Sequence, residues 1–104
     1  MASTRKYPRQ AYGESEDIPV TVIQFGKLER IDLMVKGVDI SDGGLGIISE
    51  MPLAPGFVWF RGTVGEHKGG MIVWSRKADA GYRAGIQFLP IPLSPREYLE
   101  VSDD

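Results

Sequence analysis

The chain has 104 residues, of which 42% are hydrophobic and 25% charged, and its formal net charge is −2. This length is typical of one domain and leaves no room for a second within these residues. The acidic balance argues against general nucleic-acid binding, which depends on a broad basic surface. Because there is no cysteine, disulfides, thiolate metal sites and thiol catalysis are excluded.

Membrane and export signals are absent from the sequence pattern. No apolar run approaches the roughly 18 residues that a transmembrane helix requires. Residues 1–9 are polar and lack the apolar core of a signal peptide. These features predict a cytoplasmic protein without a membrane span.

Residues 1–17 are predicted to form a flexible N-terminal arm, because they contain proline and glycine and show no apolar periodicity. Three cations, Arg5, Lys6 and Arg9, precede the first acid, Glu14. The folded domain is predicted to occupy residues 18–104.

Six apolar segments after the arm have the β-branched and aromatic composition of strands, with polar turns predicted at residues 65–70 and 76–81. In the second segment the alternation changes phase after Gly37, which predicts a β-bulge. Turn signals recur about every 8–15 residues, which favours an antiparallel barrel or sandwich over a βαβ fold. The six segments are residues 20–25, 31–40, 45–51, 57–64, 71–74 and 82–89, and in the last of them Ala84, Ile86 and Phe88 share one parity.

One short helix is predicted to begin near residue 94. Ser94 is a suitable N-cap, Pro95 suits the first helical position, and Glu97 completes a capping box. Tyr98 and Leu99 supply part of an apolar face, so we expect a C-terminal helix of two or three turns.

The arm contains the pattern Arg5-x-x-x-Arg9. Pro8 disfavours helical geometry at Tyr7, so the arm is better described as extended, with the two arginine Cα atoms up to about 13–14 Å apart. Two guanidinium forks suit phosphate and the O6/N7 edge of guanine. Taken alone, the pair is explained more simply as a solvated basic tail.

A second pattern, Asp39-x-Ser41-x-x-Gly44, lies where a predicted strand runs into a turn. Asp39 can accept hydrogen bonds from guanine N1 and N2, and Ser41 can donate to phosphate or tie its own turn. Gly44 allows close approach of a ligand or a positive φ. Taken alone, these residues also describe an ordinary hairpin turn.

In this order and separation, the two patterns resemble the bipartite signature of the PilZ domain family, R-x-x-x-R followed by D/N-x-S-x-x-G. The resemblance covers nearly the whole chain, since Trp74 and the stretch Gly85-Ile86-Gln87-Phe88 are also similar to the later strands of the family. The five matching motif positions are Arg5, Arg9, Asp39, Ser41 and Gly44.

The resemblance implies a six-stranded antiparallel β-barrel with a short C-terminal helix that binds cyclic di-GMP and carries no cofactor. Arg5 and Arg9 would hold guanine Hoogsteen edges and phosphates, and Asp39 would read the donor edge of guanine. Ser41 and Gly44 would complete the floor of the site. Independently, two cationic forks and one carboxylate suit a ligand with two phosphates and two guanines.

The resemblance also implies a receiver that signals to a downstream protein of a motility, secretion or exopolysaccharide system. Because the arm carries the arginines, it is expected to change conformation on binding. Whether one ligand or a stacked pair binds stays open.

Three other functions are weighed against this interpretation. The first is an interaction adaptor on the same barrel without ligand binding, which the intact motifs disfavour. The second is a nucleic-acid-binding barrel, in which aromatic residues of the segment 57–64 would stack bases, although core packing is the simpler role for them. An enzyme is the weakest option, because the lone His67 and the scattered acids assemble no catalytic or metal-binding group.

Overall fold

The computed structural model describes residues 10–11, 17–27 and 29–102. Within these residues the chain forms seven strands and one helix. The elements are β1 (Gln10–Ala11), β2 (Asp17–Gln24), β3 (Ile31–Ile40), β4 (Gly44–Ser49), β5 (Gly56–Val64), β6 (His67–Ala78), β7 (Gly81–Phe88) and α1 (Pro95–Ser102).

Strands β2 to β7 form a closed barrel in the order β3-β2-β5-β6-β7-β4, and β4 pairs back with β3. Every pairing is antiparallel. The predicted six-stranded antiparallel barrel with a short C-terminal helix is therefore confirmed. The two-residue β1, which falls within the segment predicted to be an arm, adds to β3 through the pairs Gln10–Ile40 and Ala11–Asp39.

Alternate residues of each strand fill the barrel, as the period-2 pattern requires. In β7, for example, Ala84, Ile86 and Phe88 are buried on one parity, as the sequence predicts. Full burial of one large aliphatic or aromatic side chain is worth about 1.5–3 kcal/mol. The core consists of Ile18, Val20, Val22, Val35, Leu45, Ile47, Leu53, Val58, Phe60, Val64, Ile72, Ala84, Ile86 and Phe88.

Two turns are shorter in the structure than the sequence predicts. β6 already begins at His67 and runs to Ala78, so the turns contain only residues 65–66 and 79–80. The glycines that suggested the first turn serve strand packing instead, because a Cβ at Gly69 would overlap the carbonyl oxygen of Val58, and one at Gly70 that of Gln87. The polar run that suggested the second lies on the exposed part of β6.

Helix α1 begins with the predicted capping box. The amide of Glu97 donates to Ser94 Oγ at 3.1 Å, and the amide of Ser94 donates to Glu97 Oε1 at 2.9 Å. The backbone bond from Ser94 is the main reason that the pKa of Glu97 lies below its ordinary value.

The segment leading into α1 covers the outside of β5. Trp59 Nε1 donates to the carbonyl of Leu93 at 2.7 Å, and the ring of Phe57 meets that of Tyr98 edge-on at 5.4 Å. Phe57 and Trp59 therefore pack outside the barrel, whereas Phe60 lies within its core. The outer face of β5 is therefore covered by the segment that leads into α1 and by α1 itself.

Candidate functional site

The β3–β4 hairpin holds the second motif at one end of the barrel. The pairing of β3 with β4 shifts register between Gly37 and Asp39, which confirms the predicted bulge. Because of this extra residue, Asp39 lies on the same outer face as Lys36 although the two are three apart in sequence. The bulge thus determines which side of the barrel receives the carboxylate.

The carboxylate of Asp39 lies over β4. Asp39 pairs with Gly46, and a Cβ built on Gly46 would be 2.7 Å from Asp39 Oδ1 and 3.3 Å from its Cγ. The side chain is half-buried. Any residue larger than glycine at position 46 would therefore have to displace the carboxylate.

Ser41 ties the hairpin turn together. Its amide donates to the Gly44 carbonyl at 2.9 Å, and its Oγ accepts a hydrogen bond from the Gly43 amide at 3.3 Å. The turn-forming role proposed for Ser41 is therefore observed. A hydroxyl that accepts one bond still has a proton to donate, so Ser41 can also serve an external acceptor.

Gly44 is required by strand packing. A Cβ at this position would overlap the carbonyl oxygen of Ile86 on β7. Gly44 is not among the glycines with positive φ, so the left-handed conformation considered from the sequence is not the reason for this residue. Its presence instead allows β4 and β7 to approach closely beside Ser41.

Strand β1 brings the chain from the N-terminal segment to this hairpin. Asp39 is flanked by Ala11 of β1 on one edge and by Gly46 of β4 on the other. The structure therefore brings Asp39, Ser41 and Gly44 together at the end of β3 and β4. Arg5 and Arg9, the other two predicted site residues, lie outside the described residues.

A row of residues facing the outside of the barrel extends from Asp39 across three further strands. Asp39 pairs with Gly46, Gly46 with Gly85, and Gly85 with Trp74, so these four residues form one row. At about 4.8 Å per strand, the row spans roughly 14 Å. We call the two central residues, Gly46 and Gly85, the glycine floor.

The far end of the glycine floor is bounded by Trp74. A Cβ at Gly85 would overlap Nε1 of the Trp74 indole, so the ring lies directly over that glycine. Trp74 nevertheless remains 41% exposed. The Asp39 carboxylate therefore covers Gly46 and the Trp74 indole covers Gly85, so that both glycines are buried and the two side chains are neighbours on the outer face of the barrel.

A cavity of about 660 Å³ lies beside Ser41 at the end of the barrel, lined by Ile40, Asp42, Glu66, His67 and Phe88 among others. The imidazole of His67 stacks on the Phe88 ring at 3.9 Å, with an angle of 7° between the planes. In the part of the chain that the structure describes, no three His, Cys, Asp or Glu residues are grouped to hold a metal ion.

No helix among residues 10–11, 17–27 and 29–102 is long and apolar enough to cross a membrane.

Sequence reasoning found the β3–β4 half of this surface and missed the other half. Gly46, Gly85 and Trp74 are far apart in sequence, and only the register of four strands places them in one row. A glycine in two neighbouring strands is the single local signal, since it indicates close approach of another group.

The family model of the PilZ domain matches residues 3–101. The match includes both arginines of the first motif, the whole second motif and every described strand. No curated protein matches this sequence.

Proposed function

The chain belongs to the PilZ domain family, a family of cyclic di-GMP-binding domains, and we propose that it is itself a cyclic di-GMP receiver. The proposed ligand-binding residues are Arg5, Arg9, Asp39, Ser41 and Gly44. The observation that carries the proposal is the position of the Asp39 carboxylate, which lies over Gly46 at the end of the hairpin that also holds Ser41.

Asp39 supplies the selectivity for guanine in this proposal. Guanine presents N1–H and N2–H as neighbouring donors, and an ionised carboxylate has two oxygens to accept them. Because position 46 has no side chain, the carboxylate lies against the backbone of β4. We expect the donor edge of a guanine to meet this carboxylate at the end of the β3–β4 hairpin.

Chain connectivity supports the assignment of Arg9 to the same site. Gln10 pairs with Ile40, and successive Cα atoms are about 3.8 Å apart. Arg9 directly precedes Gln10 in the chain, and Ala11 pairs with Asp39 itself. Arg5 is four residues further along the same segment.

PilZ domains act as binding domains, and we propose no catalytic role for this one. Some PilZ domains bind no ligand. The adaptor function is therefore the alternative that a binding experiment must distinguish.

The signal would be passed on by the arm, residues 1–17. Holding the ligand between the arm and the barrel gives both arginines a common anionic partner, which offsets about 1–2 kcal/mol of backbone entropy for each residue that becomes ordered. The downstream protein, in a motility, secretion or exopolysaccharide system as the family suggests, would recognise the surface formed by the ordered arm.

Hydrogen exchange tests this function and its mechanism together. We expect amides of residues 3–13 to exchange rapidly in the free protein, with any protection confined to the two-residue pairing of β1. Saturation with cyclic di-GMP should slow exchange across this segment and at residues 39–46. An arm equally protected without ligand, or unchanged at saturation, would contradict the arm mechanism.

A further inference from the structure

The half of the barrel away from Asp39 has its own row of residues on the outer face. This row begins at Asp32 on β3, continues through Thr21 on β2 and Trp59 on β5, and ends at Gly69 on β6. The row from Asp39 instead reaches β6 through β4 and β7, so the two rows cover different halves of the closed barrel. Asp32 and Asp39 are seven residues apart on β3, which corresponds to roughly 23 Å.

A cavity of about 570 Å³ lies along this second row. One wall is the segment that leads into α1, where Ile91 and Pro92 present apolar side chains. The hydrogen bond from Trp59 Nε1 to the carbonyl of Leu93 holds this wall against β5. The volume is typical of small-ligand sites, which measure about 300–1,000 Å³. Three cations also line the cavity, namely Arg30, Arg61 and Lys68.

Two of these cations share one carboxylate. Arg30 Nε lies 3.3 Å from both oxygens of Asp32, and Arg61 Nη2 lies 3.3 Å from Asp32 Oδ1. Thr21 Oγ1 donates to the same Oδ1 at 2.6 Å, and this hydrogen bond is the main reason that the pKa of Asp32 lies below its ordinary value. Asp32 therefore stays ionised and orients both arginines. Each guanidinium uses only one nitrogen on Asp32, so its other N–H groups can donate to a further anion.

The third cation lies opposite a large bulge in β5. Between two regular pairs with β6, the four residues 60–63 of β5 lie opposite Lys68 alone. Gly62 has a φ of 114°, and a Cβ at this position would meet nothing within 4 Å, so glycine is needed there for the backbone conformation and not for space. Bulges redirect side chains and are frequent beside functional sites. None of the ion pairs within the described residues includes Lys68.

The balance of acids and cations separates this cavity from an ordinary ion-paired surface. Elsewhere on β3, Lys36 is paired with Asp17 at 2.8 Å. Among the described residues that line the cavity, the one acid is Glu97, and its Oε1 accepts the Ser94 amide. Even when Asp32 is included, the cations outnumber the acids, although the chain as a whole has a net charge of −2. An excess of positive charge in a concave site favours an anionic ligand.

We propose that this cavity binds a small organic phosphate monoester. Arg30, Arg61 and Lys68 hold the phosphate, because guanidinium and ammonium donors suit a dianionic oxyanion. The apolar wall at Ile91 and Pro92 contacts the organic group of the ester. This site is separate from the cyclic di-GMP site and does not depend on the proposed function.

NMR titration of the full chain with phenyl phosphate tests the proposal, since this probe joins a phosphate monoester to an apolar group. At constant ionic strength, we expect saturable shifts of the Arg30 and Arg61 Nε–Hε resonances and of the Trp59 indole resonance. Inorganic phosphate should shift the arginine resonances with an affinity about 3- to 10-fold weaker, because it lacks the apolar contact. Absence of these shifts with phenyl phosphate would overturn the proposal, whether or not cyclic di-GMP binds.

Alanine variants then test the residues. Arg61→Ala and Lys68→Ala are each expected to weaken phenyl phosphate binding by about 10-fold, because each removes a charge-assisted contact. The matched control is Lys36→Ala, which removes a cation that is paired with Asp17, and it should change affinity by less than about 2-fold. Thermal unfolding should be nearly the same in all three variants, since these side chains are exposed. Parent-like affinity in both Arg61→Ala and Lys68→Ala would refute the site.

Two comparisons distinguish this site from other occupants. A hexaglutamate peptide that shifted the same resonances at lower concentration than phenyl phosphate would assign the cavity to an acidic protein segment and overturn the small-molecule proposal. In calorimetry, Arg61→Ala should bind cyclic di-GMP as tightly as the parent. If this variant lost affinity for cyclic di-GMP, the cavity would belong to the cyclic di-GMP site and the proposal of a separate site would be wrong.

Discussion

Replacing Arg9 by alanine is expected to weaken cyclic di-GMP binding by about 2–4 kcal/mol, which corresponds to roughly 30- to 1,000-fold in Kd. The reason is that a guanidinium fork makes two parallel charge-assisted bonds to a phosphate or to a guanine edge. Arg9→Lys should restore little, since an ammonium cannot reproduce the fork. Arg5→Ala should behave in the same way.

Lys6→Ala is the matched control for the arm variants, because it removes one positive charge from the same segment. Calorimetry at a fixed salt concentration measures all four variants. If Arg9→Ala bound cyclic di-GMP as tightly as Lys6→Ala, Arg9 would have to be removed from the site. If Arg9→Ala and Lys6→Ala lost affinity for cyclic di-GMP equally, the arm would act through its net charge and not through specific contacts.

Replacing Asp39 by alanine should weaken cyclic di-GMP binding by at least about 100-fold, because the donors of one guanine would be left without acceptors in a desolvated site. Asp39→Asn should lose less, since the amide keeps one acceptor oxygen, and the motif itself admits asparagine at this position. The control is Asp42→Ala, which removes an exposed acid from the same hairpin.

The Asp39 series also separates base recognition from phosphate recognition. Discrimination between cyclic di-GMP and cyclic di-AMP should collapse in Asp39→Ala, because the guanine-specific acceptor is gone while the arginines remain. A variant that still preferred guanine as strongly as the parent would show that another group reads the base.

Much of the barrel could be predicted from local patterns. Alternation identified the inward face of β7, the phase shift at Gly37 identified the bulge, and the Ser94–Glu97 pair identified the start of the helix. Each of these signals depends on neighbouring residues and on a single physical rule. These signals can therefore be recognised without knowing which strands pair with each other in the sheet.

The lengths of β6 and its turns could not be predicted in this way. Gly69 and Gly70 have the composition of a turn, yet they lie in a strand. Glycine occurs there because the carbonyls of neighbouring strands leave no room for a side chain. The same holds for Gly44 in the motif, because it is required by the approach of Ile86 on β7, which is 42 residues later in the chain. Close approach between strands is a non-local property.

The candidate site also contains residues that local patterns predict and residues that only the strand register brings together. Asp39 and Ser41 belong to one hairpin and were accessible to motif reasoning. Gly46, Gly85 and Trp74 come into one row with Asp39 only through the register of β4, β7 and β6, which a single sequence does not specify. Arg76 and Arg83 are only seven residues apart in the chain, but that they lie opposite each other becomes evident only once the ladder is known.

Isothermal titration calorimetry of the full chain with cyclic di-GMP tests the central claim most directly, with cyclic di-AMP and a single-stranded oligonucleotide as comparisons. We predict saturable binding of cyclic di-GMP, binding of cyclic di-AMP at least about 100-fold weaker, and no binding of the oligonucleotide by this acidic chain. The fitted stoichiometry would also distinguish one ligand from a stacked pair. If the folded protein gave no heat of binding with cyclic di-GMP, this would contradict the receiver function and favour the adaptor. Equal affinity for both cyclic dinucleotides would contradict the role of Asp39.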